Sequence, residues 1–321
     1  MSSTTTTSGP PGQTKPYPEP SKTGTIPFTI PGTDIKCETA YWLWGSLSSS
    51  TTPLICLHGG PGVPHQYLLP ISHLSSEPYN IPVIMYDQVG CGKSTRLKDK
   101  KGDGEFWTPQ LFMRELENLV SHFHISSYDL LGQSWGGMLS AQYATTRPEK
   151  LNRLIVADSP ASMVTWVQVA NKLRSKLPQD VQDTLTRCER DGTTDTKEYD
   201  NAAQVFLEKH ACRVVPWPKE LSEALGALKE DDTVYLTMNG PSEFHVIGTL
   251  KEWNITKDLH KINVPTLLIN GRYDEAQDEV MEPFFKEIEK VKWVRFAESS
   301  HMPQLEETDE CIEVLGHFLQ S

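Results

Sequence analysis

A Gly-Gln-Ser-Trp-Gly pentapeptide at residues 132–136 constrains the fold of this chain more than any other feature. It follows an apolar run over residues 128–131 and precedes a helix-forming segment over residues 138–146. Glycines on both sides of a serine allow a strand and a helix to pass at a separation that a Cβ atom would prevent. The pattern therefore predicts a nucleophile elbow, a tight strand–turn–helix junction from which the hydroxyl of Ser134 projects.

Short apolar runs alternate with helical segments on both sides of this junction. An antiparallel hairpin is expected first, over residues 25–44, with a Pro-Gly turn at 31–32. The other runs that we expect to form strands are 54–57, 83–86, 128–131, 154–157, 266–269 and 291–296. Alternation of this kind predicts an α/β protein with a mostly parallel, doubly wound sheet.

The alternation stops between about residues 160 and 250. Amphipathic helices are expected there over 179–190, 197–210 and 219–228, with no strand between them. We interpret this stretch, 160–250, as a helical cap inserted into a core made of residues 25–159 and 251–321. Residues 1–24 are rich in Ser, Thr, Pro and Gly near their start and are expected to form a disordered tail.

The composition argues against several classes of partner. The 321 residues carry a net charge of −12, whereas nucleic acid binding calls for a basic face. Six scattered cysteines without a C-x-x-C motif predict free thiols in a reducing compartment and no metal site. No apolar run approaches the roughly 18 residues of a membrane span, and the N-terminus lacks the pattern of a signal peptide. We therefore expect a cytoplasmic protein with neither nucleic acid nor membrane as a partner, and its oligomeric state stays open.

A nucleophilic serine needs a base, and the base needs an acid that orients it. Asp274 follows the expected strand 266–269, and His301 follows the expected strand 291–296. The order Ser, Asp, His is the one found with a nucleophile elbow. We therefore predict a catalytic triad of Ser134, Asp274 and His301. Asp158, also at a strand end, is the competing candidate for the acid.

His-Gly-Gly-Pro-Gly at residues 58–62 follows the expected strand 54–57. Acyl transfer develops an oxyanion, which backbone N–H groups stabilise when the main chain can approach it closely. We assign this oxyanion hole to the amides of Gly60 and Trp135. A phosphate-binding loop is excluded because no G-x-x-x-x-G-K-[ST] motif stands here.

Three motifs together resemble the proline iminopeptidase family of α/β hydrolases, which includes the tricorn-interacting aminopeptidases. They are the glycine-rich motif at 58–62, Asp-Gln-Val-Gly-Cys-Gly-Lys-Ser at 87–94 and Gly-Gln-Ser-Trp-Gly-Gly at 132–137. Gln133 departs from the small glycine that many members carry. The resemblance implies an α/β-hydrolase fold and a serine aminopeptidase that releases an N-terminal proline or another apolar residue without a cofactor.

The resemblance also implies how the substrate is recognised. In the family, two acids bind the free amino terminus, and the positions that match are Glu243, within Met-Asn-Gly-Pro-Ser-Glu-Phe at 238–244, and Glu275, next to the triad acid. A charged α-ammonium is costly to bury without a partner, so facing carboxylates would restrict cleavage to the first residue. Gly59 and Phe244 are also expected to contact substrate. Trp217 and Tyr235 could line the same site but are interpreted first as packing residues of the cap.

Two other functions remain open. The same triad would serve an amidase, esterase or lactone hydrolase acting on an amino-acid-derived small molecule, because the fold and triad do not set the substrate. The expected partner is thus a small peptide or an amino-acid amide or ester. A binding protein without activity is disfavoured, since such proteins often lose a triad member or the oxyanion loop and this chain retains each of these residues.

Overall fold

The computed structural model describes residues 10–48 and 51–321. Within them one eight-stranded sheet forms, in the order β1-β2-β4-β3-β5-β6-β7-β8. The strands are β1 (Lys22–Thr29), β2 (Lys36–Trp44), β3 (Leu54–Leu57), β4 (Val83–Tyr86), β5 (Tyr128–Gln133), β6 (Leu151–Ala157), β7 (Thr266–Gly271) and β8 (Val291–Phe296). The first two form an antiparallel hairpin, β2 pairs antiparallel with β4, and all the other pairs are parallel. The predicted α/β class and mostly parallel sheet are confirmed.

Helices cover both faces of the sheet. They are α1 (Pro109–His122), α2 (Trp135–Ala144), α3 (Met163–Arg174), α4 (Gln179–Asp191), α5 (Lys197–His210), α6 (Lys219–Glu230), α7 (Thr233–Met238), α8 (Asp278–Glu287), α9 (Pro303–Glu306) and α10 (Thr308–Leu319). Short 3-10 helices are His65–Ser75, Lys98–Lys100, Thr249–Glu252 and Thr256–Lys261. Helix α1 begins as its sequence predicts, with Thr108 accepting a hydrogen bond from the N–H of Leu111 and proline in the first turn.

The central strands divide their side chains between two apolar cores. In β3, Ile55 and Leu57 belong to the core on one face, whereas Leu54 and Cys56 belong to the core on the other. Every residue of β3 is buried, as expected for a parallel strand covered on both faces. The result is a three-layer arrangement in which the carboxyl ends of the parallel strands meet at one edge, where the candidate site lies.

Five helices, α3 to α7, lie between β6 and β7, and no strand of the sheet occurs over residues 158–265. We call residues 158–265 the cap segment. Its helices α4, α5 and α6 match the predicted stretches to within two residues. Part of the cap segment has an apolar core of its own, to which Leu185 and Phe206 belong. Helix α3 was not singled out from the sequence.

The predicted disordered tail, residues 1–24, is wrong over residues 10–24, which make defined contacts with the folded core. The N–H of Gly12 donates to the carbonyl of Glu306 (2.9 Å), the indole of Trp44 donates to the carbonyl of Pro18 (2.8 Å), and β1 begins at Lys22. These bonds join polar backbone groups to the folded core, which a composition of Ser, Thr and Pro does not reveal. The rest of the predicted tail, residues 1–9, lies outside the described residues.

All six cysteines are free, and all are buried. Across residues 10–48 and 51–321, no helix has the length and apolarity needed to cross a lipid bilayer.

Candidate active site

Ser134 lies between the end of β5 and the start of α2, on a strained backbone. Its φ of 56° and ψ of −122° fall in a region that non-glycine residues rarely adopt. The Ser134 N–H donates to the carbonyl of Ala157 in the neighbouring strand β6 at 2.9 Å. Such strain persists only when the surroundings enforce it, and it is characteristic of functional sites.

The glycines of the elbow allow strand and helix to approach each other closely. A Cβ atom on Gly132 would lie 2.0 Å from the carbonyl oxygen of Gly136, and one on Gly136 would lie 2.1 Å from the carbonyl oxygen of Leu57. Both distances are far below any real contact of a Cβ atom. The two glycines of the motif are therefore required by the packing of α2 against β5 and β3.

His301 and Asp274 meet at the carboxyl ends of β8 and β7. The Nδ1–H of His301 donates to Asp274 Oδ1 at 2.7 Å, and both side chains are buried. Burial disfavours the imidazolium, but the charge and hydrogen bond of Asp274 outweigh burial and raise the pKa of His301. This bond fixes the tautomer in which Nε2 is free to accept a proton.

Ser134 and His301 line the same cavity. Among the described residues, no hydrogen bond joins the Ser134 hydroxyl to the imidazole; such bonds are often long before substrate binds. The loop that carries His301 is instead held by the residue before the serine, since Gln133 Nε2 donates to the His301 carbonyl at 2.9 Å. The sequence did not indicate this role for Gln133.

A short chain of hydrogen bonds connects this contact to the glycine-rich loop. The hydroxyl of Tyr67 donates to Gln133 Oε1 at 2.7 Å and accepts from the N–H of Gly59 at 2.6 Å. The loop at residues 58–62, the elbow and the His301 loop are thus tied together. Gly59, expected to contact substrate, has its N–H engaged here and lines neither of the two cavities that border Ser134.

The two amides assigned to the oxyanion hole flank Ser134. Gly60 and Trp135 line a second, small cavity of about 10 Å³ that also borders Ser134. Within the described part of the chain, neither of their N–H groups donates to another protein group. The two amides are therefore available to an oxygen atom bound beside the serine.

Gln88 connects the elements that carry these two amides. Its Oε1 accepts from the Trp135 indole at 2.9 Å, and its Nε2 donates to the His58 carbonyl at 3.0 Å. The Gln88 N–H donates to Nε2 of His58 at 2.9 Å, so this ring is neutral, and burial lowers the pKa of His58 to about 4.

The two acids predicted to bind an amino terminus face the same cavity as Ser134 and His301. Glu243 Oε1 accepts a hydrogen bond from the hydroxyl of Tyr235 at 2.6 Å. Glu275 Oε1 lies 4.0 Å from Nε2 of His301, and Oε2 of Glu275 is buried without a hydrogen-bond partner among the described residues. Burial raises the pKa of both acids, and the charge of Glu243 raises the pKa of Glu275 further.

This cavity has a volume of about 80 Å³, and the rest of its lining is largely apolar. The cap segment contributes Leu207, Ala211, Trp217, Leu221 and Leu225. Trp217 therefore lines the site, although the sequence favoured a packing role. Phe244 differs from expectation in the opposite sense, because it lines neither cavity and packs 5.0 Å from Phe206 in the core of the cap segment.

The alpha/beta hydrolase fold family model matches residues 52–308. The proline iminopeptidase of Heyndrickxia coagulans is 38% identical over 84% of this chain and 91% of the relative. The chain belongs to the proline iminopeptidase family of α/β hydrolases. The family enzyme of Saccharolobus solfataricus is 36% identical over 87% of this chain and 88% of the relative.

Solved structures of two other proteins are similar to this chain over most of its length. VinJ has a TM-score of 0.88 and 45% identity, covering 94% of this chain and 99% of VinJ. The proline iminopeptidase of Mycobacterium smegmatis has a TM-score of 0.83 and 40% identity, covering 93% of this chain and 98% of that protein. The chain is thus an enzyme, a hydrolase of the proline iminopeptidase type.

Proposed function

We propose that this enzyme releases the first residue of short peptides, proline or another apolar residue, through an acyl-enzyme on Ser134. The observation that carries the proposal is the placement of two buried acids, Glu243 and Glu275, in the same cavity as Ser134 and His301. The names of the related proline iminopeptidases support the same substrate class.

In the proposed reaction, the hydroxyl of Ser134 turns toward His301 Nε2, which takes its proton as the oxygen attacks the first peptide carbonyl. The amides of Gly60 and Trp135 hold the oxyanion. His301 then gives the proton to the leaving amine, and the acyl-enzyme is hydrolysed by a water that His301 activates. Asp274 keeps the imidazole in the required tautomer through the 2.7 Å bond to Nδ1.

The two acids account for cleavage at the first residue. An α-ammonium entering the cavity supplies the positive charge that stabilises the ionised forms of Glu243 and Glu275, whose burial otherwise favours the neutral forms. An internal peptide nitrogen brings no charge, and it would leave the acids without a cation. The enzyme should therefore discriminate strongly against blocked amino termini.

The test compares proline β-naphthylamide with its N-acetylated form. We expect acetylation to lower kcat/KM by about 100-fold or more, because the lost contacts are charge-assisted hydrogen bonds in a buried site. Glu275→Gln and Glu243→Gln should each lower activity on the free amine and reduce this discrimination. Glu279→Gln, at an exposed acid of α8, is the matched control and should behave as the parent enzyme. Equal turnover of the two substrates would refute recognition of the ammonium.

One observation favours a second candidate, an amidase or esterase acting on amino-acid derivatives. The residues that line the larger cavity include no lysine or arginine within the described part of the chain, so nothing there pairs with the free carboxylate of a dipeptide. Proline amide and proline esters should be compared with Pro-Gly. Turnover of Pro-Gly at the level of the amide would remove this candidate.

We also propose a reducing compartment, the cytoplasm, as the location, which the six free and buried thiols support.

A further inference from the structure

Asp158 is a buried acid at the end of β6 for which the reaction above has no use. Its side chain is fully buried, and its φ of 51° places it in the left-handed region. The Asp158 N–H donates to the carbonyl of Ile269 at 2.8 Å, which fixes the residue between β6 and β7. Within the described residues, no well-aligned hydrogen bond reaches either of its carboxyl oxygens.

The carboxyl group of Asp158 lies directly beside the candidate triad. One polar atom from each of Asp158, Asp274 and His301 falls within 4.8 Å of the other two. Asp274 Oδ1 accepts from His301 Nδ1 (2.7 Å) and from the N–H of Ala276 (2.8 Å), whereas Asp274 Oδ2 is also buried without a donor. Two adjacent acids thus each present oxygens that lack a proton donor.

Two carboxylates this close cannot both ionise in a buried site, and a single proton resolves the conflict. Asp274 is the better place for the negative charge, because its Oδ1 accepts from the N–H groups of His301 and Ala276, whereas neither oxygen of Asp158 is stabilised in this way. The proton therefore belongs to Asp158, where it also supplies the missing donor for Asp274 Oδ2.

The other groups around Asp158 favour the same state. Burial is the largest cause that raises the pKa of Asp158 well above its usual range. The charge of Asp274, the hydrogen bond between the two carboxyl groups and the charge of Glu306 raise it further, whereas the nearby Gly271 backbone lowers it by less. The thiol of Cys311 and the hydroxyl of Tyr67 also face Asp158, and burial raises the pKa of both, so they are neutral.

We propose that Asp158 is a neutral carboxylic acid whose O–H donates to Asp274 Oδ2, making Asp158 a positioning residue for the Asp274–His301 pair. The donated hydrogen bond holds the Asp274 carboxylate at the angle that aligns His301, and no proton is transferred in the process. The proposal rests on the triad of the proposed function but not on the identity of the substrate.

The deciding comparison is Asp158→Asn against Asp158→Ala, with p-nitrophenyl acetate as a substrate that has no amino terminus. An asparagine amide can still donate to Asp274 Oδ2, so we expect kcat within about threefold of the parent enzyme. Alanine removes the donor, and we expect kcat to fall about 10–100-fold while KM changes less than about twofold, as for loss of a hydrogen bond to a charged group.

The acid limb of the pH profile of kcat/KM, which reports the pKa of His301, gives an independent readout of the charge on Asp158. A nearby ionised carboxylate raises the pKa of a histidine, so removing a neutral group should leave the limb of Asp158→Asn within about 0.3 pH unit of the parent. If Asp158 were ionised, the limb would move down by about one unit or more. Such a shift, or equal loss of kcat in both variants, would overturn the proposal.

Three controls separate the remaining outcomes. Asp129→Asn changes another buried acid, at the start of β5, and should leave kcat and the acid limb unchanged. Full activity of Ser134→Ala on the ester would contradict the proposed function itself rather than the role of Asp158.

Inactivation by a chelator with recovery on adding zinc would mean that the three polar groups hold a metal instead, and it would overturn the proposal. Unchanged kcat in a folded Asp158→Ala variant would reduce Asp158 to a structural residue.

Discussion

At the scale of single residues, Gln88 holds two neighbouring loops together by hydrogen bonds. It is 1% exposed, and its side-chain amide and backbone N–H bond to the two elements that carry the Gly60 and Trp135 amides. An oxyanion hole stabilises charge only when its donors are held at a fixed separation, so that they need not reorganise during the reaction. Gln88 is placed to fix that separation.

Replacing Gln88 by leucine, which has a similar volume, should therefore impair chemistry more than binding. We expect kcat to fall about 10-fold or more with KM nearly unchanged, since the donors act mainly on the charge that develops in the transition state. Steady-state kinetics on p-nitrophenyl acetate would measure this. Gln304→Leu is the control, because the Gln304 Nε2 is buried without a partner among the described residues. Equal effects of the two changes would mean that Gln88 serves packing alone.

At the scale of elements, the approach of α2 to β5 and β3 determines where Ser134, the proposed nucleophile, lies. The strained backbone of Ser134 and the glycines around it belong to one structural unit, because the turn is only possible if the helix starts against the sheet. Backbone carbonyls surround these glycines, and backbone cannot move aside as a flexible side chain can.

Gly136→Ala should consequently disrupt the elbow, since the added Cβ would meet the carbonyl oxygen of Leu57 at 2.1 Å. We expect a loss of about 2 kcal/mol or more in the free energy of unfolding, and loss of activity, as for overpacking of a dense interior. Gly226→Ala, in the interior of α6, has nothing within 4 Å of its new Cβ. It should stabilise the protein by about 0.5–1 kcal/mol through helix propensity. Urea unfolding would compare the two, and a stable, active Gly136→Ala would contradict this account of the elbow.

At the scale of the whole molecule, the features that could be predicted from the sequence are those that a short stretch of neighbouring residues encodes. Strands β3, β4 and β8 were predicted with their observed bounds. For β3 and β4 the reason is that buried parallel strands are short apolar runs that end in loops. The placement of Asp274 and His301 followed from the expected strands 266–269 and 291–296.

Features that depend on tertiary contacts were not predictable in this way. Gln133 and Tyr67 are ordinary residues in sequence, and only the fold brings them between the glycine-rich loop and His301. Phe244 lies next to a predicted site acid, yet its ring turns into the cap segment because apolar Phe206 lies there. The contacts of residues 10–21 with the core likewise leave no periodic pattern.

Buried acids give the whole protein a pH-dependent stability. Glu115, on α1, is fully buried, and it accepts hydrogen bonds from the hydroxyl of Thr39 (2.5 Å) and the N–H of Val89 (3.0 Å). Burial is the largest influence on this group and raises the pKa of Glu115 from 4.5 to about 8. The folded state therefore binds a proton that the unfolded state has already released over this interval.

Below a pH of about 4.5, Glu115 is neutral in both states, and its contribution to the free energy of unfolding is fully present. This contribution is lost as the pH rises toward about 8, because Glu115 ionises more easily in the unfolded chain. Glu115→Gln keeps an oxygen for both donors but cannot ionise. Its free energy of unfolding should therefore rise relative to the parent by on the order of 4 kcal/mol between about pH 4.5 and 8. Urea unfolding at several pH values in this range measures the difference, and Glu117→Gln, at an exposed acid of the same helix, should show none. A constant difference between Glu115→Gln and the parent would mean that Glu115 is ionised in the folded protein.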